Sequence, residues 1–185
     1  MSMQNELPVR ERAFYHNKVI VGGFCMIVVV ILATTMILYH LKQRHISPVP
    51  QSIAQSVDFP IYYPVQSRLP SGFTLDPGSF KQPIPTGINY TVTYGNQATE
   101  DLVFSLQPKP SDSALQKFDA SYIPLHNSYQ TSIGQAYIGA YNTKQVTETL
   151  VSLPVDSSDT WIIVTAPYNI NQGQLKQVLS SLSKN

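Results

Sequence analysis

The sequence predicts an α+β protein with an N-terminal transmembrane helix, followed by an antiparallel sheet packed by a C-terminal amphipathic helix. Three observations predict it. Residues 19–39, from Val19 to Tyr39, pass without one charged side chain. Two later stretches alternate apolar and polar residues with the period of strands. Near the end of the chain Leu175, Val178, Leu179 and Leu182 fall at i, i+3, i+4 and i+7, one stripe of a helix.

The apolar stretch VIVGGFCMIVVVILATTMILY is twenty-one residues long, and twelve of them are Val, Ile, Leu or Phe. At about 1.5 Å per residue it makes a helix roughly 30 Å long, the thickness of a bilayer's hydrocarbon core. Arg10, Arg12 and Lys18 precede it and Lys42 and Arg44 follow it. The positive-inside bias is therefore narrow, and it points the N-terminus to the cytoplasm. The large C-terminal part is then extracytoplasmic and the chain a single-pass signal-anchor protein of the cell membrane. A cleaved secretory signal fits less well, because its apolar region is about 7–15 residues long and a small-residue site follows closely. Here HLKQRH follows, and Ser52-Ile53-Ala54 lies well beyond the span. Cys25, the only cysteine, is an inert apolar side chain in this reading, and no disulfide is available to the rest of the chain.

The organisation expected is a cytoplasmic tail at 1–18, the span at 19–39, a linker at 40–56 and a folded domain at 57–185. Charged residues make up 12% of the chain, against about 25% in ordinary globular proteins, so the domain's polar surface comes from Ser, Thr, Asn, Gln and Tyr. Residues 49–185 carry seven Lys/Arg against nine Asp/Glu, a net −2. That domain offers no basic excess for phosphates and is not a nucleic-acid binder.

In order, the Pro- and Gly-rich opening predicts an extended strand near Ile61 and Tyr63, then turns at Pro70-Ser71-Gly72 and Asp76-Pro77-Gly78. Ile88, Tyr90, Val92 and Tyr94 share one face of a strand, with Asn89, Thr91 and Thr93 on the other. After the loop GNQATED, Leu102, Phe104 and Leu106 alternate with Val103, Ser105 and Gln107, closing an antiparallel hairpin. A short helix is expected over 113–118, capped by Ser111 or Asp112. Residues 129–141 read as extended, broken at Gly134. Residues 146–153 and 160–166 make a second hairpin. Trp161, Ile162, Ile163 and Val164 are apolar on both faces, which marks a central strand covered on both sides. The terminal helix is expected over 172–183, capped by Asn169 or Asn171.

Chemistry is sparse. A Ser–His–acid mechanism needs an imidazole beside its nucleophile, and the domain holds only His126, without a G-x-S-x-G elbow. One His and no Cys cannot make a zinc site. Asp156 and Asp159 share a turn but lack the spacing of a calcium loop. A glycosidase-like carboxylate pair could be drawn from Asp101, Asp112, Asp119 and Glu148, and spacing does not say which would face each other. Asn89-Tyr90-Thr91 matches a glycosylation triplet inside a strand. No catalytic, cofactor-binding or metal-binding residue is assigned, and no cofactor is expected.

The segments Phe59-Pro-Ile-Tyr-Tyr-Pro64 and Leu69-Pro-Ser-Gly-Phe73, with the ending LKQVLSSL at 175–182, resemble a family of uncharacterised bacterial extracytoplasmic domains. Such domains have one N-terminal span, antiparallel strands and a C-terminal helix. Some relatives form the outer, sensing half of membrane anti-sigma regulators, and the fold is similar to lipoprotein-carrier-like half-barrels. The resemblance implies that fold but no catalytic residue. The regulators' signalling role is not implied, because eighteen residues before the span leave no room for a folded effector. The partners expected are the lipid bilayer, through Val19 to Tyr39, and an envelope protein or glycan. The function expected is binding without catalysis. A carrier of hydrophobic ligand, with a cavity under Trp161 and the Leu175–Leu182 stripe, is the alternative, and a carboxylate-dependent cell-wall hydrolase is a third.

Overall fold

A computed structural model describes residues 47–95, 101–142 and 146–185. The tail at 1–18, the span at 19–39 and the orientation of the chain lie outside the described residues, as does most of the GNQATED loop. Among the described residues no helix is long and apolar enough to cross a membrane. The fold there is α+β, with a large antiparallel sheet and few helices.

The compact unit runs from Ser47 to Asn185. It begins inside the stretch read as linker. There a one-turn helix, α1 (Gln51–Ala54), hangs from the Pro50 carbonyl, and Val49 is buried. Strand β1 (Tyr62–Pro64) pairs with β10 (Leu182–Lys184), not with the main sheet. Gly72, at φ +88°, makes the turn into β2 (Phe73–Leu75), and a β-carbon there would lie 2.9 Å from the Tyr94 ring. A bulky residue there would meet both obstacles. Then come β3 (Lys81–Ile84), β4 (Gly87–Tyr94) and β5 (Leu102–Pro108). Helix α2 (Asp112–Tyr122) is five residues longer than expected and is capped by Ser111, whose Oγ accepts the Ala114 N–H. Strands β6 (His126–Gln130) and β7 (Gln135–Asn142) flank a tight turn at Gly134. The Thr131 hydroxyl donates to the Gly134 carbonyl at 2.7 Å there. Strands β8 (Thr147–Pro154) and β9 (Thr160–Pro167) form the second hairpin. Helix α3 (Gln172–Ser180) completes the list, with Asn171 Oδ1 accepting from the Gly173 and Gln174 N–H groups.

The eight-stranded sheet runs β2-β4-β5-β9-β8-β7-β6, with β3 also pairing with β4. Register aligns apolar side chains in rows across it. One row is Tyr90, Phe104, Val164, Val151 and Ile138; another is Ile88, Leu106, Ile162 and Leu153. Leu175, Val178 and Leu179 of α3 join these rows in one core, at essentially no exposure. Phe80, Tyr90 and Phe104 stack in sequence. The Tyr90 hydroxyl donates to the Tyr62 carbonyl at 3.0 Å, which fixes β1 over the core. The stripe's last member differs from the expectation. Ser181 ends α3, its Oγ donating to the Val178 carbonyl at 2.6 Å, and Leu182 enters β10 while staying buried.

Sheet alternation sends Trp161, the neighbour of Ile162, to the opposite face. There Phe118 of α2 meets Trp161 edge-on, with ring centroids 4.7 Å apart, and Tyr122 meets Tyr141. Leu115, Ile123 and Leu150 are buried apart from the main core. A second helix therefore covers part of the face opposite α3. Strand β9 is interior, as its apolar run predicts. Ile163 is only half-buried, because α2 does not extend over it.

Candidate functional site

Helix α2 covers one half of the outer face, and the other half is open. Strand alternation brings Thr91 of β4, Val103 of β5, Thr165 of β9 and Glu148 of β8 to this open half. The register pairs Thr91 with Val103, Val103 with Thr165, and Glu148 with Pro167. Continued one step, it sets Asp101 opposite Pro167. Asp101 and Glu148 therefore flank Pro167 on one face, with α-carbons two strand spacings, about 10 Å, apart. These residues line a groove of about 620 Å³, within the range of ligand clefts. Tyr168, 62% exposed, and Asn169 stand at its rim, and Val103 is 40% exposed within it. Among the described residues no Lys or Arg lines it.

Asp101 is the electrostatic centre of the groove. The residue sits near solvent, yet its Oδ1 is enclosed and has no hydrogen-bond partner among the described residues. Burial first, and the negative charge of Asp76 second, raise its carboxyl above the ordinary range. Around the end of the sheet, Pro167 and Asn169 also line a smaller cleft of about 220 Å³, with Phe73, Tyr94 and the start of α3. The β9–α3 loop is thus a ridge between two concavities.

Under α2 lies a second polar group of residues. Trp161 Nε1–H donates to Ser152 Oγ at 3.1 Å, and the Ser152 hydroxyl in turn meets the Asp119 carboxylate. Burial raises the Asp119 carboxyl, while Ser152 and the nearby His126 pull it back down. Asp119 Oδ1 is enclosed without a partner among the described residues. The histidine's Nδ1 lies 2.9 Å from the Ile123 carbonyl, and its ring meets Tyr137 edge-on. Serine, acid and histidine are therefore close, but the acid stands between the other two, and Ser152 is fully buried. A nucleophile needs the imidazole beside its hydroxyl and a path to substrate. This arrangement provides neither.

Of the four carboxylates considered from sequence, the fold brings Asp101 and Glu148 to one groove. Asp112 and Asp119 lie apart from it on α2, Asp112 exposed in the first turn. Asp156 and Asp159 are exposed in the β8–β9 turn, and among the described residues no group of three or more His, Cys, Asp or Glu could hold a metal ion. Asn89 is half-buried and paired with Ser105. Trp161 and the Leu175–Leu179 stripe lie on opposite faces of the sheet, so no single cavity lies under both. Sequence reasoning missed Thr165, Tyr168 and Asn169. The signal available for Thr165 was its place on the polar face of an otherwise apolar strand.

No protein-family model matches the chain, and no curated protein or solved structure matches it either.

Proposed function

We propose that the protein is a membrane-anchored, extracytoplasmic binding module whose recognition surface is the groove on the open half of the sheet. The observation that carries this reading is Asp101. Its carboxylate lines a groove rimmed by an exposed tyrosine, its enclosed Oδ1 has no hydrogen-bond partner among the described residues, and burial raises its carboxyl, a perturbed acid of the kind that concentrates at functional sites. The uncharged stretch at 19–39 supports the anchor. The resemblance to the outer half of membrane regulators supports a role in recognition outside the membrane.

A photo-reactive residue at Thr165 tests the surface in living cells, with the same group at Asp156, in the β8–β9 turn, as control. Adducts at Thr165 and not at Asp156 are expected; adducts at neither site, or equally at both, refute it. External protease should digest the domain in intact cells, and an untouched C-terminal half refutes the orientation.

The carboxylate pair favours a second reading. Inverting glycosidases hold their two carboxyl groups about 6.5–9.5 Å apart, and side chains on α-carbons about 10 Å apart can reach that separation. Asp101, with its raised pKa, would be the acid and Glu148 the base. Release of reducing sugar from cell-wall polysaccharide, lost in both Asp101→Asn and Glu148→Gln, would establish hydrolysis in place of binding alone.

A further inference from the structure

We infer that the groove's ligand is carbohydrate: an oligosaccharide of neutral or amino sugars laid across β4, β5, β9 and β8, with one ring against Tyr168. The inference rests on the groove being the recognition surface. Its first support is that the groove lies on a sheet face and not at an edge. The backbone beneath it is committed to the β4–β5, β5–β9 and β8–β9 ladders. An extended peptide brings a row of its own backbone donors and acceptors and is met best by an unpaired strand edge. Here a ligand is met by side chains alone.

Those side chains suit hydroxyl groups. Thr91 and Thr165 offer hydroxyls, Asn169 an amide, and Asp101 and Glu148 carboxylates. Each threonine both donates and accepts, as a sugar hydroxyl does. The carboxylates accept from sugar hydroxyls or from an amino group in charge-assisted bonds about twice as strong as neutral ones. Tyr168 and Val103 provide an exposed apolar body for the C–H face of a ring.

Charge narrows the class further. Among the described residues two carboxylates and no cation line the groove, a balance that disfavours phosphorylated, sulfated and uronic-acid chains. Scale agrees as well. Four strands at about 4.8 Å spacing give a floor about 14 Å across, room for several linked rings. An amphipathic helix would need a continuous apolar stripe to dock on. The groove instead intersperses Val103, Val146, Pro167 and Tyr168 among polar groups.

The test is calorimetric titration of the full-length chain in detergent micelles with four probes: a chitosan tetramer, a neutral β-1,4-glucan tetramer, a sulfated oligosaccharide and tetralysine. Binding of the chitosan or glucan tetramer is expected, with none to the sulfated chain. Tyr168→Ala should weaken it about tenfold, and Thr165→Arg should abolish it. Both substitutions fall outside the core, and an unchanged thermal transition verifies that the variants fold. Binding of tetralysine alone, or sugar binding that both variants retain, overturns the inference. If no sugar binds while Thr165 still crosslinks specifically in cells, the carbohydrate assignment is wrong and the recognition surface stands.

Discussion

The two faces of the eight-stranded sheet are built from alternate residues of the same strands, and they obey different rules. On the core face the rows are almost wholly apolar and α3 completes the packing, with Tyr90 stacked between Phe80 and Phe104. On the outer face a short helix covers half the area through aromatic edges and a buried polar chain, and the other half is left to threonines and carboxylates. The core face holds the domain folded, since close-packed apolar burial is the dominant stabilising term. On the outer face Asp101 and Asp119 each keep a carboxylate oxygen without a partner among the described residues, and burial raises both carboxyls; perturbed acids of that kind concentrate at functional sites.

Substitutions on the two faces should therefore differ in kind as well as in size. The largest effect belongs to the core. Phe104→Ala should cost about 3–5 kcal/mol in guanidinium denaturation; a loss below about 1 kcal/mol would deny that this face carries the stability. Next is the seat of α2. A side chain at Gly139 would meet the Ile123 β-carbon and the Leu125 carbonyl, each 2.9 Å from a β-carbon there. Gly139→Val should cost about 1–3 kcal/mol. It should also erase the near-ultraviolet signal of Trp161 as Phe118 leaves it, with the sheet's far-ultraviolet spectrum retained. If both spectra collapse together, the two faces are not separable.

A smaller and pH-dependent effect is expected at Asp119. Burial raises its carboxyl in the folded state, so the fold binds this proton more tightly than the unfolded chain does. The stability linked to that proton is complete below the ordinary carboxylate range and is lost as pH rises through the raised folded value. Asp119→Asn keeps an acceptor for Ser152 and removes the charge. It should raise the melting temperature at neutral pH, with the gain vanishing toward acid. A gain that does not shrink toward acid would show that ionisation of Asp119 is not the cause. The smallest effect on stability is expected in the groove. Thr165→Arg should change unfolding free energy by no more than about 0.5 kcal/mol while it removes ligand binding.

The same contrast decides what could be read from the sequence. The rows at Ile88–Val92, Leu102–Leu106 and Trp161–Val164 were legible because alternation and burial coincide there. The α3 stripe was legible up to Leu179. Its end was not, because Ser181 stops the helix by bonding back to Val178, which periodicity does not foresee. Helix α2 was visible as a capped start, but its docking was not, since Phe118, Asp119 and Tyr122 present a mixed surface to Trp161 and Tyr141. The groove was least legible of all. Asp101 and Glu148 were candidates on residue type alone, and only the interposed β9 register sets them side by side.

The pairing of β1 with β10 has a mechanical consequence. Tyr62 lies opposite Lys184, and the Asn185 N–H donates to the Ile61 carbonyl at 2.9 Å, so the chain's last residues clasp the first strand of the domain. A pull on the chain at Ser47 must first draw the buried Val49, Phe59 and Ile61 from the core before it can load this short ladder. The hydroxyls of Tyr90 and Thr160, which hold the carbonyls of Tyr62 and Pro60, are two further catches that keep this edge from peeling off the hydrophobic interior.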